Sequence, residues 1–364
     1  MAGEAWKVCF SSGLFDEENE TMAGILREAT GCERPRIQVV ADSNLVQHTP
    51  GLGSAMGRWI SAHGIEMAGT PAVAGGGEKI KCDSMQTALR IMEAVVDSGI
   101  GRADAILAIG GGALLDVAGF AAANVRGGIR IVRVPTTPAA MADGAFAGVA
   151  SLDTQMEKDA ISVKSEPSAI VVDPSFSSTV LDGVWRGGLG EIIRCALATD
   201  SALFGKFAES ADYLRCRDID VLGQILKECA KTRASRSPGD FGLWSAFRLE
   251  ALSGYKLPHG YAVPMGVCID LGYAVEKGMM KQETRDMVKN LLADCGALDG
   301  VPHSHHLLSQ PELVVDGLDE WARRTGRDAV AIVSGPGAVE IEEKPDREAY
   351  IKVVKDFLSE AIGV

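Results

Sequence analysis

Between Ala105 and Asp143 the chain reads AILAIGGGALLDVAGFAAANVRGGIRIVRVPTTPAAMAD. The apolar run Ala105 to Ile109 breaks into Gly110, Gly111 and Gly112, and small residues at helical spacing follow with Asp116 among them. A second apolar run, Ile129 to Val134, ends at Pro135-Thr136-Thr137. Strand, glycine turn and helix N-terminus in that order can cradle a pyrophosphate. Glycine lets the backbone approach, while the first helical turn offers unpaired N–H groups and the positive end of the helix dipole. A glycine triplet by itself is more often only a tight turn. The triplet also lacks the G-x-G-x-x-G spacing of the usual dinucleotide folds.

Other stretches of the same half carry polar groups. Arg36 to Ala41 reads as a strand ending in Asp42-Ser43-Asn44. The C-terminal end of a strand is where α/β sheets place ligand contacts, and it is also where Asx turns and helix caps occur. Gly75 to Lys81 (GGGEKIK) is a glycine-rich connection holding Glu78 and Lys81.

These residues need a scaffold. Trp6 to Phe10, Arg36 to Ala41, Ala105 to Ile109 and Ile129 to Val134 read as short strands, and Ser84 to Ser98 has helical spacing with Ala88, Ile91, Val95 and Val96 on one stripe. Alternation of this kind predicts a mostly parallel sheet covered by helices. Asp173-Pro174 closes that half. Beyond it the expected elements are helices over Leu189 to Ala208, Ile219 to Ala234, Phe247 to Ala251, Met265 to Glu276, Lys281 to Cys295 and Arg347 to Ile362, with one strand at Ala329 to Val333. The expected division is therefore an α/β Rossmann-like domain over 1–174 and an all-α domain over 175–364.

With 364 residues, 46% of them hydrophobic, the chain can bury more than one core. A net charge of −13 argues against nucleic acid or an anionic membrane as the main partner. The start, MAGEAWKVCFSSG, has no basic segment leading into a long apolar one, and no run is long enough to span a bilayer. Eight cysteines without a C-x-x-C pair suit reduced thiols in the cytoplasm.

The blocks GGGALLDVAGFAA, VRVPTT, GLGEIIR, DFG and LPHGYAV resemble, in order and spacing, the 3-dehydroquinate synthase superfamily of sugar phosphate cyclases. DFG and CALATDSALF are similar to the sedoheptulose 7-phosphate cyclase branch, such as the 2-epi-5-epi-valiolone synthases. The resemblance implies a homodimer with NAD in the N-terminal domain and a divalent metal, usually zinc, in a cleft. It also implies a reaction in which a hydroxyl is transiently oxidised, phosphate leaves by β-elimination, the ketone is reduced and an aldol closes a carbocycle. Cofactor contacts implied by it are Asp42, Asn44, Glu78, Lys81, Gly110, Gly111, Gly112, Asp116, Thr136, Thr137 and Asp143. Implied catalytic positions are Lys158, Arg194, Arg236 and Asp240, and the implied metal ligands are Glu191 and His259.

The same resemblance exposes departures. The middle metal ligand of a GHTxxH segment is Leu243, in GLWSAF, and the second histidine of that segment is Phe247. An expected lysine is Val149, an expected arginine is Gly127 beside Arg126, Asp159 stands for an asparagine, and Tyr261 for a glutamate. A catalytic zinc takes about three protein ligands and keeps one position open. Each charge-assisted hydrogen bond lost from a phosphate pocket costs about 1.5–3 kcal/mol. His303, His305 and His306 form the other histidine cluster, as a substitute ligand source or a solvated loop. The plainer alternatives are an exposed or helix-capping carboxylate for Glu191, against which its place in the family block favours the cleft, a turn histidine for His259, and a surface pair for Arg236 with Asp240. The expected function is a divergent sugar phosphate cyclase-like protein that binds NAD and a phosphorylated or polyhydroxylated substrate with altered chemistry, the metal being doubtful. A non-catalytic scaffold or regulator and a polyol dehydrogenase are the alternatives.

Overall fold

A computed structural model describes residues 7–233, 235–300 and 310–362. The chain divides into two compact units: residues 7–154 with Asp159–Leu181, and Gln155–Lys158 with residues 182–362. His303, His305 and His306 lie outside the described residues.

The first unit is built on a parallel sheet of β1 (Val8–Phe10), β2 (Arg36–Asp42), β3 (Glu66–Met67), β4 (Ala72–Ala74), β5 (Ala105–Gly110), β6 (Arg130–Pro135) and, after a hairpin of β7 (Val149–Leu152) and β8 (Ile161–Lys164), β9 (Ala169–Val172). The strand order is β1-β9-β6-β5-β2-β3, and β4 also pairs with β2. β2, β5, β6 and β9 are almost wholly buried, as expected for strands covered on both faces. Helices α1 (Thr21–Thr30), α2 (Ser43–His48), α3 (Leu52–Ala62), α4 (Gln86–Asp97), α5 (Gly112–Asn124) and α6 (Pro138–Ala142) complete the unit. α5 is apolar all round because it is enclosed on two sides: its N-terminal turn follows β5, and the β7–β8 hairpin packs on its outer face. Gly119 makes that contact possible, since a Cβ there would sit 3.0 Å from the Cβ of Ala150.

The second unit is helical: α7 (Asp182–Thr199), α8 (Ser201–Arg215), α9 (Ile219–Arg233), α10 (Leu243–Leu252), α11 (His259–Glu276), α12 (Gln282–Asp294), α13 (Pro311–Val315), α14 (Gly317–Thr325) and α15 (Arg347–Ile362). Two details differ from the sequence expectation. The helix expected over Leu189 to Ala208 is two, broken at Asp200, whose side chain accepts from the backbone N–H of Ala202 and Leu203 and so caps α8. The strand expected at Ala329 to Val333 is half of an antiparallel hairpin, β10 (Ala329–Gly335) with β11 (Ala338–Glu343), so this unit is not all-α. β11 escapes sequence reading because its alternation runs AVEIEE with every residue partly or fully exposed. No described helix is long and apolar enough to cross a membrane.

Candidate functional site

The C-terminal edge of the sheet gathers the cofactor candidates of the first unit. In register, Ala41 of β2 pairs with Ile109 of β5, and Gly110 pairs with Pro135 of β6, so Asp42, the glycine triplet and Thr136 follow three adjacent strands. Thr136 N–H donates to Gly110 O at 3.0 Å. Thr137 caps α6 through its hydroxyl and lies against Gly111, where a Cβ would fall 3.3 Å from its Cγ2. Asp42 accepts from Asn44 N–H at 2.8 Å and thereby caps α2, so the cap reading of this residue is realised. A Cβ on Gly76 would lie 2.9 Å from Asn44 Nδ2, so the Gly75–Gly77 connection is pressed onto Asp42 and Asn44. Burial pushes the Asp42 carboxyl above its ordinary value, opposed by the N–H groups of Asn44 and Gly111. α5, in contrast, has no side-chain cap at its N-cap residue Gly111, whose own N–H faces Asp42, so the N–H groups of its first turn from Gly112 onward meet no capping side chain. Asp143 terminates α6.

Lys81 and Asp116 form the second cluster of this unit. Buried Lys81 Nζ is 2.7 Å from Asp116, 2.5 Å from Asp159 and 3.7 Å from Asp153. Burial alone would lower the ammonium, but Asp116, Asp159, Glu78 and Asp153 together hold it well above the ordinary lysine value. Asp159 adopts φ 52° and donates its N–H to Asp153 Oδ1 at 2.8 Å, which turns its side chain onto Lys81. Asparagine and aspartate tolerate this left-handed conformation best among non-glycine residues.

In the helical unit, two glycine-mediated approaches set the geometry of α7 and α11. A Cβ on Gly187 would lie 2.7 Å from the Cα of Gly260, and Gly190 is covered by the ring of Pro264. The residues beside those glycines are Glu191 and His259. Their facing atoms, Oε2 and Nε2, are 3.9 Å apart, and Glu191 is buried in mid-helix, neither exposed nor a cap. Its other oxygen, Oε1, is held by Arg194 Nε and Nη2, each at 2.7 Å, while Arg194 Nη1 donates to the carbonyls of Gly239 and Phe241 at 3.3 Å. Oε2 has no hydrogen-bond partner among the described residues.

Glu250, one helix away on α10, ties the rest together. Its Oε1 is 2.8 Å from His259 Nδ1, and its Oε2 accepts from Lys158 Nζ at 2.9 Å. Lys158 belongs to this unit although it precedes β8 in the chain, and Arg324 Nη1 donates to its carbonyl at 3.0 Å. Phe247, one turn before Glu250, lies under the cluster: Lys158 Nζ is 5.5 Å and the Arg324 guanidinium 4.8 Å from its ring centre. Leu243 is one further turn back on the same stripe of α10.

Arg236 and Asp240 do not pair with each other. Arg236 donates to the carbonyls of Thr199 and Gly337. Asp240 accepts from Trp321 Nε1 at 2.9 Å and from Ala331 N–H at 3.1 Å, joining the turn before α10 to α14 and β10.

Residues 72–185 match the model of the 3-dehydroquinate synthase N-terminal domain, and residues 188–309 match that of its C-terminal domain. The chain belongs to the 3-dehydroquinate synthase family. A 3-dehydroquinate synthase of Pyrobaculum islandicum is 35% identical over 147 residues, 40% of this chain and 42% of that protein, so the match spans less than half of that relative's length. One from Ruegeria sp. is 25% identical over 341 residues, 87% of this chain and 88% of the relative. The fold is that of the 2-epi-5-epi-valiolone synthase ValA from Streptomyces hygroscopicus subsp. jinggangensis 5008, solved with NAD+ and Zn2+ bound. The TM-score is 0.84 at 21% identity, covering 99% of this chain and 98% of ValA.

Sequence reading of this family member missed Glu250 and Asp153. Both are fully buried acids in contact with a lysine. Glu250 carried a usable signal: a lone carboxylate on the Leu243-Phe247 stripe of a helix, where an apolar residue would otherwise face inward. Asp153 carried none, because its partner Lys81 is 72 positions away.

Proposed function

We propose that this protein is a divergent sugar phosphate cyclase that holds NAD in its sheet unit, acts on a phosphorylated or polyhydroxylated substrate, and has chemistry altered from that of the family. The observation that carries the cofactor part is the uncapped N-terminus of α5 at Gly111, set between Asp42 and Thr137 at the sheet's C-terminal edge. There Gly110–Gly112 and the open N–H groups take the pyrophosphate, Asp42 and Asn44 the ribose, and Thr136 and Thr137 the nearby phosphate oxygens. Glu78, Lys81, Asp116 and Asp143 complete the pocket. NAD supplies a hydride acceptor when bound.

The donor set does not fit the metal centre of the family. Glu191 Oε2, buried and orphaned, and His259 Nε2 are two atoms of that set, and buried Cys195, its Sγ 3.7 Å from Glu191 Oε1, is a further donor outside it. A catalytic zinc takes three such ligands. At the third position Leu243 has no lone pair to give. Val149 likewise replaces a phosphate-binding lysine and stands half exposed at the start of β7. Proton transfer therefore falls to side chains. Lys158 and His259 keep groups able to exchange a proton. Arg194 and Asp240 are engaged in internal bonds and act as framework, and Arg236 presents an exposed guanidinium to an anionic substrate. A cytoplasmic homodimer belongs to the same reading.

The test is phosphate release from sedoheptulose 7-phosphate, with NAD and zinc, run beside an ordinary family member, together with native mass spectrometry for bound NAD. The expected outcome is one NAD per chain and a release rate far below the relative's, unchanged by zinc. Zinc-dependent turnover equal to the relative's overturns the altered chemistry, and absence of NAD binding overturns the cofactor assignment.

A further inference from the structure

Arg133 is a buried cation on β6, only 1% exposed, and its hydrogen bonds all go to main-chain carbonyls rather than to a carboxylate. Nη1 donates to Ala145 O at 3.0 Å and to Ala147 O at 2.5 Å, and Nη2 donates to Ser165 O at 2.8 Å. Burial lowers the guanidinium to about 10, opposed by the charge of Asp116, so it stays cationic at neutral pH. A buried charge is tolerated only while its donors are matched, which holds those carbonyls in place.

Two of the three carbonyls belong to the turn that Asp143 begins. The Asp143 carbonyl accepts from Phe146 N–H at 2.8 Å, closing a short 3-10 turn over Gly144–Phe146. Arg133 grips this turn at Ala145 and again just beyond it at Ala147. The third carbonyl is that of Ser165, the residue after β8. Its N–H donates to Gly148 O at 2.9 Å and its hydroxyl to Gly119 O on α5 at 3.0 Å. Gly119 leaves room for this arrangement, since a Cβ there would lie 3.3 Å from Arg133 Nη2. One side chain thus ties β6 to the turn after Asp143 and to the end of the hairpin.

We propose that Arg133 is a positioning residue for the cofactor: by clamping the turn that follows Asp143, it fixes where that carboxylate meets NAD. The assignment rests on the cofactor reading above and adds the residue that holds one of its contacts in place.

The experiment is calorimetric titration of the full chain with NAD for wild type, Arg133→Met, Asp143→Asn and the double variant, with folding checked by circular dichroism. R133M and D143N should each weaken NAD binding about tenfold, the scale of one charge-assisted hydrogen bond. Because the arginine acts through Asp143, the double variant should bind no more weakly than either single one. A merely structural arginine would act independently of residue 143, and the two losses would multiply. Multiplying losses, or an R133M or D143N protein that binds NAD as wild type does, overturn the proposal. Arg133→Lys keeps the charge without the planar fork, and it carries the same cycle if R133M does not fold. A wild type that binds no NAD overturns the cofactor reading and this assignment together, whereas failure of the cycle alone leaves the cofactor reading standing.

Discussion

Glu191 Oε2 and His259 Nε2 face each other at 3.9 Å from two helices whose backbones approach at Gly187 and Gly260. The acid sits four residues after one glycine and the histidine one residue before the other, so the helix crossing and the pair are one construction. A methyl group at either glycine would have to occupy the neighbouring backbone.

Gly187→Ala is therefore expected to destabilise the protein, by about 1–3 kcal/mol for overpacking at a close contact, with the two helices pushed apart. Thermal unfolding of G187A and G260A measures the loss. Gly205, where a Cβ meets nothing within 4 Å, serves as a control: G205A should be neutral or slightly stabilising.

Lys81 neutralises a buried acidic cluster. Lys81→Met leaves Asp116, Asp153 and Asp159 facing one another, and breaking a buried ion pair from one side costs about 3–5 kcal/mol. Urea denaturation should show a loss of that order. Adding Asp159→Asn to K81M should recover part of it, because one uncompensated charge is removed. A K81M protein as stable as wild type would contradict this account of the cluster.

Asp270 gives a pH dependence with a definite sign. It accepts from Gly242 N–H, Trp244 Nε1 and Tyr350 Oη, and burial still pushes its carboxyl up to about 7. In the unfolded chain an aspartate titrates near 3.9. The folded state thus binds the proton more tightly, so its contribution to stability is full at low pH and is lost as pH rises from about 4 to about 7. Unfolding free energies across that window should fall less steeply in Asp270→Asn than in the wild type. Parallel curves would remove Asp270 as the cause.

Leu243→His places an imidazole on α10 one turn before Phe247, after the Gly239–Phe241 segment that wraps Arg194. Elemental analysis of purified protein is expected to give far less than one zinc per chain for wild type and a clear rise for L243H. Stoichiometric zinc in the wild type would overturn the incomplete-ligand reading.

Strands, helices and the glycine turn of the sheet unit were legible because they obey local rules. Apolar runs and the glycines that punctuate them lie within a few residues of one another. β11 and the break at Asp200 were not, since an exposed strand has no buried stripe and a cap looks like any other aspartate. Arg236 and Asp240 illustrate the limit for side chains. Four residues apart, they suggest a pair, yet each is claimed by a partner dozens of positions away.

By itself the sequence determined the fold and which chemical groups exist: the glycine turn, Glu191, His259 and, at position 243, a leucine with no lone pair to offer. Only the tertiary structure decided how those groups are used. Glu250 becomes the shared partner of Lys158 and His259, Arg194 binds one oxygen of Glu191 and leaves the other bare, and Asp159 turns onto Lys81. The reason is physical. Secondary structure follows from neighbours in the chain, whereas buried charge must be matched, and its partners come from whatever helix or strand packing brings within about 3 Å.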